Sequence, residues 1–208
     1  MVSPINTLRE QIETAEAWLA EREPLFAGLI QEHGSCSLDS WQRGAFDTLV
    51  WAILGQQISV QAANAIEARL LQILGDQQFR AEAVQALDQQ QLRAAGLSGA
   101  KIRTVTNLSN VVCSGELELT DLHTADTDEI KQQLCALPGI GPWTAEMFLI
   151  FGLQRLDVFS PGDLGLRKAI QQLFGLAERP SPEQSARQAS AWQPYRTVAS
   201  WHLWREVD

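Results

Sequence analysis

Residues 137–153 read LPGIGPWTAEMFLIFGL. Two glycines bracket one isoleucine, and a proline and a tryptophan follow at the mouth of an apolar helical run. Glycine reaches positive φ without steric cost and lets another group approach the backbone closely. Pro142 suits the first turn of a helix, where its missing N–H is no loss. The stretch therefore predicts a helix–turn–helix corner whose unpaired amides sit at a positive helix end, a place suited to an anion such as a phosphate. The spacing matches neither G-x-x-x-x-G-K-[ST] nor G-x-G-x-x-G after a strand, which argues against a nucleotide loop. Two readings of the pentamer stay open: a corner where glycine merely permits close packing, and a grip on a phosphate.

Outward from that corner, almost every periodic segment reads as helix. Residues 5–32 carry an apolar stripe (Ile5, Leu8, Ile12, Ala15, Leu19) broken at Pro24. Residues 40–54, SWQRGAFDTLVWAIL, place a serine at the head of a helical pattern, and Gly55-Gln56-Gln57 interrupts it. Ser59 is a cap for a helix ending at Gly75. Helices are predicted near 79–95, 98–112, from Asp126 or Thr127 to Ala136, 142–153, 163–174, 182–192 and 195–206. No segment alternates at period two, so the chain is predicted to be all-α, an orthogonal helical bundle without internal repeats.

Composition narrows the function classes. The 208 residues are 45% hydrophobic, enough for one domain or two closely packed lobes. No run approaches the ~18 apolar residues of a membrane span. The acidic, amphipathic N-terminus does not read as a targeting peptide. Cys36, Cys113 and Cys135 lie far apart, which fits a reducing, intracellular compartment and argues against zinc and iron–sulfur sites; His33, His123 and His202 are equally scattered. The net charge of −9 is a poor omen for nucleic-acid binding. However, residues 1–136 carry 9 Lys+Arg against 18 Asp+Glu, whereas 137–208 carry 7 against 7. Backbone amides are one way for such a chain to hold a phosphate.

Downstream, LDVFSPGDLGLRKAI (156–170) sets Asp163 after Ser160-Pro161-Gly162 and before an apolar, basic helix. Asp there is an ordinary N-cap. A capping carboxylate at a pocket's edge is also suited to stabilising a developing cation. LPGIGPWTAE followed by Asp in a Pro-Gly-Asp context resembles the helix-hairpin-helix DNA glycosylase superfamily. LVWAILGQQISVQAA (49–63) and WQPYRTVASWHLW (192–204) are similar to segments of its 3-methyladenine DNA glycosylase II branch.

That resemblance implies a two-lobed bundle, with one lobe near 40–125 and the other from 1–39 plus 126–208, and an active site in the interlobe cleft. It implies Asp163 as the catalytic residue, and Leu137, Gly139, Ile140, Gly141 and Thr144 as the phosphate grip. The backbone carbonyls of Cys135, Leu137 and Ile140 would bind Na+ or K+. Trp143 and Trp204, with Met147 and Leu164, would line the base pocket, and Gln57, with Gln56, would fill the gap left by a flipped base. Trp143 stands where strand-cleaving relatives carry lysine, so a monofunctional enzyme is implied. The implied partner is double-stranded DNA containing alkylated bases, met by a monomer that needs no cofactor, iron–sulfur cluster or zinc. The N-terminal β domain of some relatives is not expected. Trp18, Trp41, Trp51, Trp192 and Trp201 are expected in the core. The alternative from another class is a helix-hairpin-helix protein that binds DNA without editing it.

Overall fold

The computed structural model describes residues 7–207; Ile5, at the head of the predicted N-terminal stripe, lies outside them. Among the described residues there is no strand, and the helices follow in the order α1 (Leu8–Arg22), α2 (Pro24–His33), α3 (Ala45–Gly55), α4 (Val60–Leu74), α5 (Ala81–Gln85), α6 (Gln89–Ala95), α7 (Gly99–Cys113), α8 (Thr127–Cys135), α9 (Pro142–Met147), α10 (Leu164–Leu173), α11 (Pro182–Ala189) and α12 (Arg196–Arg205). Their starts follow from local chemistry. Thr7 with Glu10, Asp88 with Gln91, Asp126 with Glu129 and Ser181 with Gln184 form reciprocal capping boxes, and Ser59 and Ser98 cap α4 and α7. Gly75 and Gly96 end their helices in the left-handed conformation.

The chain forms two compact units, Arg43–Leu153 and Met1–Gln42 with Gln154–Asp208. In the central unit α3 is the apolar axis: Leu49, Val50, Ala52, Ile53 and Leu54 are all buried. It packs against α4, α7 and α9. In the terminal unit α12 packs against α1, α2 and α10. The predicted division is thereby corrected. Residues 126–153, expected beside Asp163, belong to the central unit, because α9 and the turn after it lie on α3.

Four other differences have local causes. Ser40 does not cap α3, because its hydroxyl donates to the Ser37 carbonyl at 2.6 Å inside a short 3-10 turn; Gly44 takes the cap position. The helix predicted over 79–95 is two, because Asp88 starts a new one. The helix predicted over 142–153 widens to a π-helix at Phe148–Gly152. A Cβ on Gly152 would lie 2.8 Å from the Phe148 ring, so only glycine fits that turn. Of the five tryptophans expected in the core, only Trp192 is fully buried. Trp18, Trp41, Trp51 and Trp201 are half-buried. Arg22 covers the Trp18 ring at 4.2 Å, and Tyr195 meets that ring edge-on.

Candidate active site

The hairpin is built in the central unit. Leu137 to Ile140 close a turn, the Ile140 N–H donating to the Leu137 carbonyl at 3.1 Å, with Pro138 and Gly139 at its centre and Gly139 at φ 86°. Pro then Gly with positive φ is the type II pattern. The two glycines turn out to differ. A Cβ on Gly139 would lie 1.8 Å from Thr104 Oγ1 on α7, so Gly139 is a packing corner. Gly141 has φ −106°, and a Cβ there would meet no atom within 4 Å. Neither strain nor crowding requires glycine there.

This sorts the amides expected to hold a phosphate. Leu137 N–H donates to the Leu134 carbonyl and Ile140 N–H closes the turn, so both are engaged within the hairpin. Among the described residues, the Gly139 and Gly141 amides make no backbone hydrogen bond. Thr144 contributes a first-turn amide, a group for which an α-helix supplies no intrahelical acceptor. The Thr144 side chain is buried, with its hydroxyl accepting from Gln56 at 2.8 Å, so only its backbone is offered. The two hairpin helices are braced by Lys131 on α8 and Glu146 on α9, paired at 2.8 Å with Glu146 buried.

Gln56 and Gln57 also separate. Gln56 Nε2 donates to the Gly139 carbonyl at 3.1 Å and to Thr144 Oγ1 at 2.8 Å, so this side chain turns inward and ties the end of α3 to the hairpin. The expectation that it assists the wedge is corrected. Gln57 is exposed at φ 57°, a left-handed conformation that projects it from the turn. Lys101, buried on α7, donates to the Leu54 carbonyl at 2.6 Å and so caps α3 just before that turn; burial pulls its amine below the ordinary lysine value. The Trp143 indole lies against Gly55, where a Cβ would be 3.5 Å from the ring. Met147 is 3% exposed and faces the interior.

Asp163 belongs to the terminal unit. Its N–H donates to the Ser160 carbonyl at 3.1 Å, closing the turn through Pro161 and Gly162. Its Oδ1 accepts from Leu166 N at 2.8 Å, the cap of α10, and from Trp204 Nε1 at 3.0 Å. The segment leading into that turn is clamped by the start of α12. Arg196 pairs with Asp157 at 2.7 Å, and Thr197 donates to the Arg155 carbonyl and accepts from Val158 N–H. Leu164 is 62% exposed beside Asp163. Lower on α12, fully buried His202 meets Glu16 of α1 at 3.0 Å, and Glu16 also accepts from Cys36 N–H and Ser35 Oγ. Burial opposes the charge on Glu16, but these donors outweigh it and hold its carboxyl below the ordinary value; burial pushes the Cys36 thiol up to about 12. Periodicity gave no sign of this pair, of the Trp204–Asp163 bond or of the Arg196 clamp. Near the end of α12, Glu32, His33 and Glu206 bring ligand-type atoms within 4.8 Å of one another, with His33 pairing to Glu206 at 3.3 Å.

The model for the HhH-GPD superfamily of base excision DNA repair proteins matches residues 50–194. The chain belongs to this superfamily. It is 32% identical over 162 residues to DNA-3-methyladenine glycosylase 1 of Schizosaccharomyces pombe, covering 77% of this chain and 71% of that protein. It is 33% identical over 169 residues to DNA-3-methyladenine glycosylase 2 of Escherichia coli, covering 77% of this chain and 57% of the relative. It thus spans little more than half the length of the E. coli protein. Among solved structures, S. pombe 3-methyladenine DNA glycosylase Mag1 in complex with abasic DNA superposes with a TM-score of 0.84 at 28% identity, over 92% of this chain and 95% of that one. The HhH-GPD match includes both the hairpin and Asp163. No described helix is long and apolar enough to cross a membrane.

Proposed function

We propose that the protein is a monofunctional DNA glycosylase that flips alkylated bases out of duplex DNA and hydrolyses their N-glycosidic bonds. The observation that carries this reading is Asp163, a carboxylate fixed at the head of α10 in a chain whose hairpin leaves the Gly139 and Gly141 amides open. A base in the stack cannot be reached, so the nucleotide must rotate out, at a cost of a few kcal/mol. Gln57 fills the vacancy. The Trp143 indole of the central unit, lying against Gly55, offers its face to the base. An N3- or N7-alkylated purine carries positive charge, which an indole face attracts by roughly 0.5–2 kcal/mol. The same charge weakens the glycosidic bond, so the leaving group needs no protonation and one carboxylate suffices where sugar hydrolases use two. Asp163 stabilises the cationic sugar as the bond breaks.

The rest of the reading follows from residue chemistry. Trp143 has no amine to form a Schiff base with the sugar, so the strand stays intact after base release. The hairpin carbonyls of Cys135, Leu137 and Ile140 are neutral oxygens of the kind that suit Na+ or K+, and the Leu137 carbonyl, which accepts the Ile140 N–H, keeps a second lone pair. A cation there would offset phosphate charge; no other cofactor is required, and the enzyme acts as a monomer. Asp163→Asn is expected to abolish release of methylated purines while leaving affinity for duplex DNA nearly intact. Wild-type release by that variant would return the chain to the class of non-editing DNA binders. Borohydride is expected to trap no covalent adduct with DNA, and an adduct would mean that the enzyme also cleaves the strand.

A further inference from the structure

Asp163 and Trp204 are 41 residues apart in sequence yet share one hydrogen bond, and a third residue makes room for it. Gly165 lies in the first turn of α10. A Cβ there would sit 3.1 Å from Asp163 Oδ1 and 3.2 Å from Trp204 Cδ1, tighter than ordinary contact with both. A cap needs one acceptor and one donor, and Leu166 N–H already supplies the donor at 2.8 Å. The indole N–H is therefore an addition to the cap. Trp204 is half-buried, so water could have satisfied that N–H.

We infer that Trp204 is a positioning residue for Asp163: its indole N–H fixes the carboxylate through Oδ1, and Gly165 keeps the space that lets the two meet. The inference rests on the reading of Asp163 as the carboxylate that stabilises the sugar cation. Two donors on one oxygen set the torsions of the side chain before DNA arrives, which is what electrostatic stabilisation requires of a fixed charge. Indole is a neutral donor. It orients the carboxylate without cancelling its charge, as an arginine or lysine in its place would do. The mount is rigid as well, because Arg196–Asp157 fastens the start of α12 and the buried His202–Glu16 pair fastens it two residues before Trp204.

The test replaces Trp204 by Phe and by benzothienylalanine, an isostere in which sulfur takes the place of the N–H. Single-turnover release of 7-methylguanine from duplex DNA is measured beside affinity for a duplex bearing a tetrahydrofuran abasic analogue. Both replacements are expected to slow release about tenfold or more, as for a lost hydrogen bond to a charged group, with affinity and melting temperature unchanged. Gly165→Ala is expected to slow release, because its Cβ must push Asp163 Oδ1 or the Trp204 ring aside. Wild-type release by the isostere would overturn the inference, as would an isostere that loses rate only in proportion to affinity. Asp163→Asn separates the two levels: if it is inactive while the isostere is normal, only the role of Trp204 fails; if it is itself active, the reading of Asp163 fails first.

Discussion

The hairpin of the central unit and the Asp163 turn of the terminal unit are both glycine-containing corners at the start of a helix, yet they are held by opposite means. The hairpin turn is held chiefly by close packing, with Gly139 pressed on Thr104, and the Gln56 amide and the Lys131–Glu146 pair lie behind it. The Asp163 turn is held by polar bonds from Leu166, Trp204 and the Arg196–Thr197 clamp on the segment before it. The difference follows from what each corner presents. A surface of backbone amides must be bare, so its supports lie behind it and are small. A carboxylate must stay charged and aimed, so its supports are donors around it.

The sharpest way to break this comparison is to add one methyl to each hairpin glycine. Gly139→Ala places a Cβ 1.8 Å from Thr104 Oγ1 on a backbone at φ 86°, and it is expected to cost about 3 kcal/mol or more in thermal unfolding. Gly141→Ala meets open space at φ −106° but puts alanine at the N-cap of α9, so stability should fall by only about 1 kcal/mol while affinity for duplex DNA falls. Equal losses of stability in both variants would restore the reading in which the whole pentamer is a packing corner.

Acid should separate the units next. Glu16 of the terminal unit has a folded-state carboxyl held below its ordinary value of 4.5, so its contribution to stability is present above that pH and lost as pH falls through the lower, folded value. Asp47 of the central unit is shifted the other way: burial raises it above 3.8 despite Arg43, so acid favours the fold there. Amide exchange below about pH 4.5 is expected to rise first in α1 and α12. Glu16→Gln should flatten the acid limb of stability. It should also cost about 2 kcal/mol at neutral pH, where the donors of Cys36, Ser35 and His202 lose a charged acceptor. Earlier exchange in α3 and α4 would contradict this assignment.

What the sequence revealed divides along the same line as the two corners. The hairpin could be read because it is local: glycine, proline and a capped apolar helix lie within a few residues, and each has one backbone consequence. The caps at Ser59, Asp126 and Asp163 were legible for the same reason. The support of Asp163 was not, because Trp204 reaches it across 41 residues and His202 reaches Glu16 across 186. Helical periodicity says that a residue is on an inner face but does not name its partner. It named no partner for His202 and placed Trp18 and Trp201 in a core that only half covers them. The lobe division failed similarly, since the allegiance of residues 126–153 depends on α9 lying on α3.

The smallest predicted effects concern the glutamine pair, where adjacent residues of one type do different work. Gln56→Ala removes two hydrogen bonds and leaves the Gly139 carbonyl and the buried Thr144 hydroxyl without that donor. It is expected to cost about 1–2 kcal/mol in stability, and to loosen the hairpin so that DNA affinity falls with it. Gln57→Ala removes an exposed side chain and should leave stability within about 0.5 kcal/mol. Its backbone at φ 57° is uncomfortable for any residue but glycine or asparagine, so Gln57→Gly should be at least as stable as the parent. With the wedge gone, both Gln57 variants should bind undamaged duplex normally and release methylated bases more slowly, because the extruded nucleotide can fall back into the stack. The comparison is decided by crossing the two readouts: stability should follow Gln56 and base release at constant stability should follow Gln57. A Gln57 variant with full activity would leave the projecting side chain without a task and shift the wedge to its exposed neighbours, Ile58 and Val60.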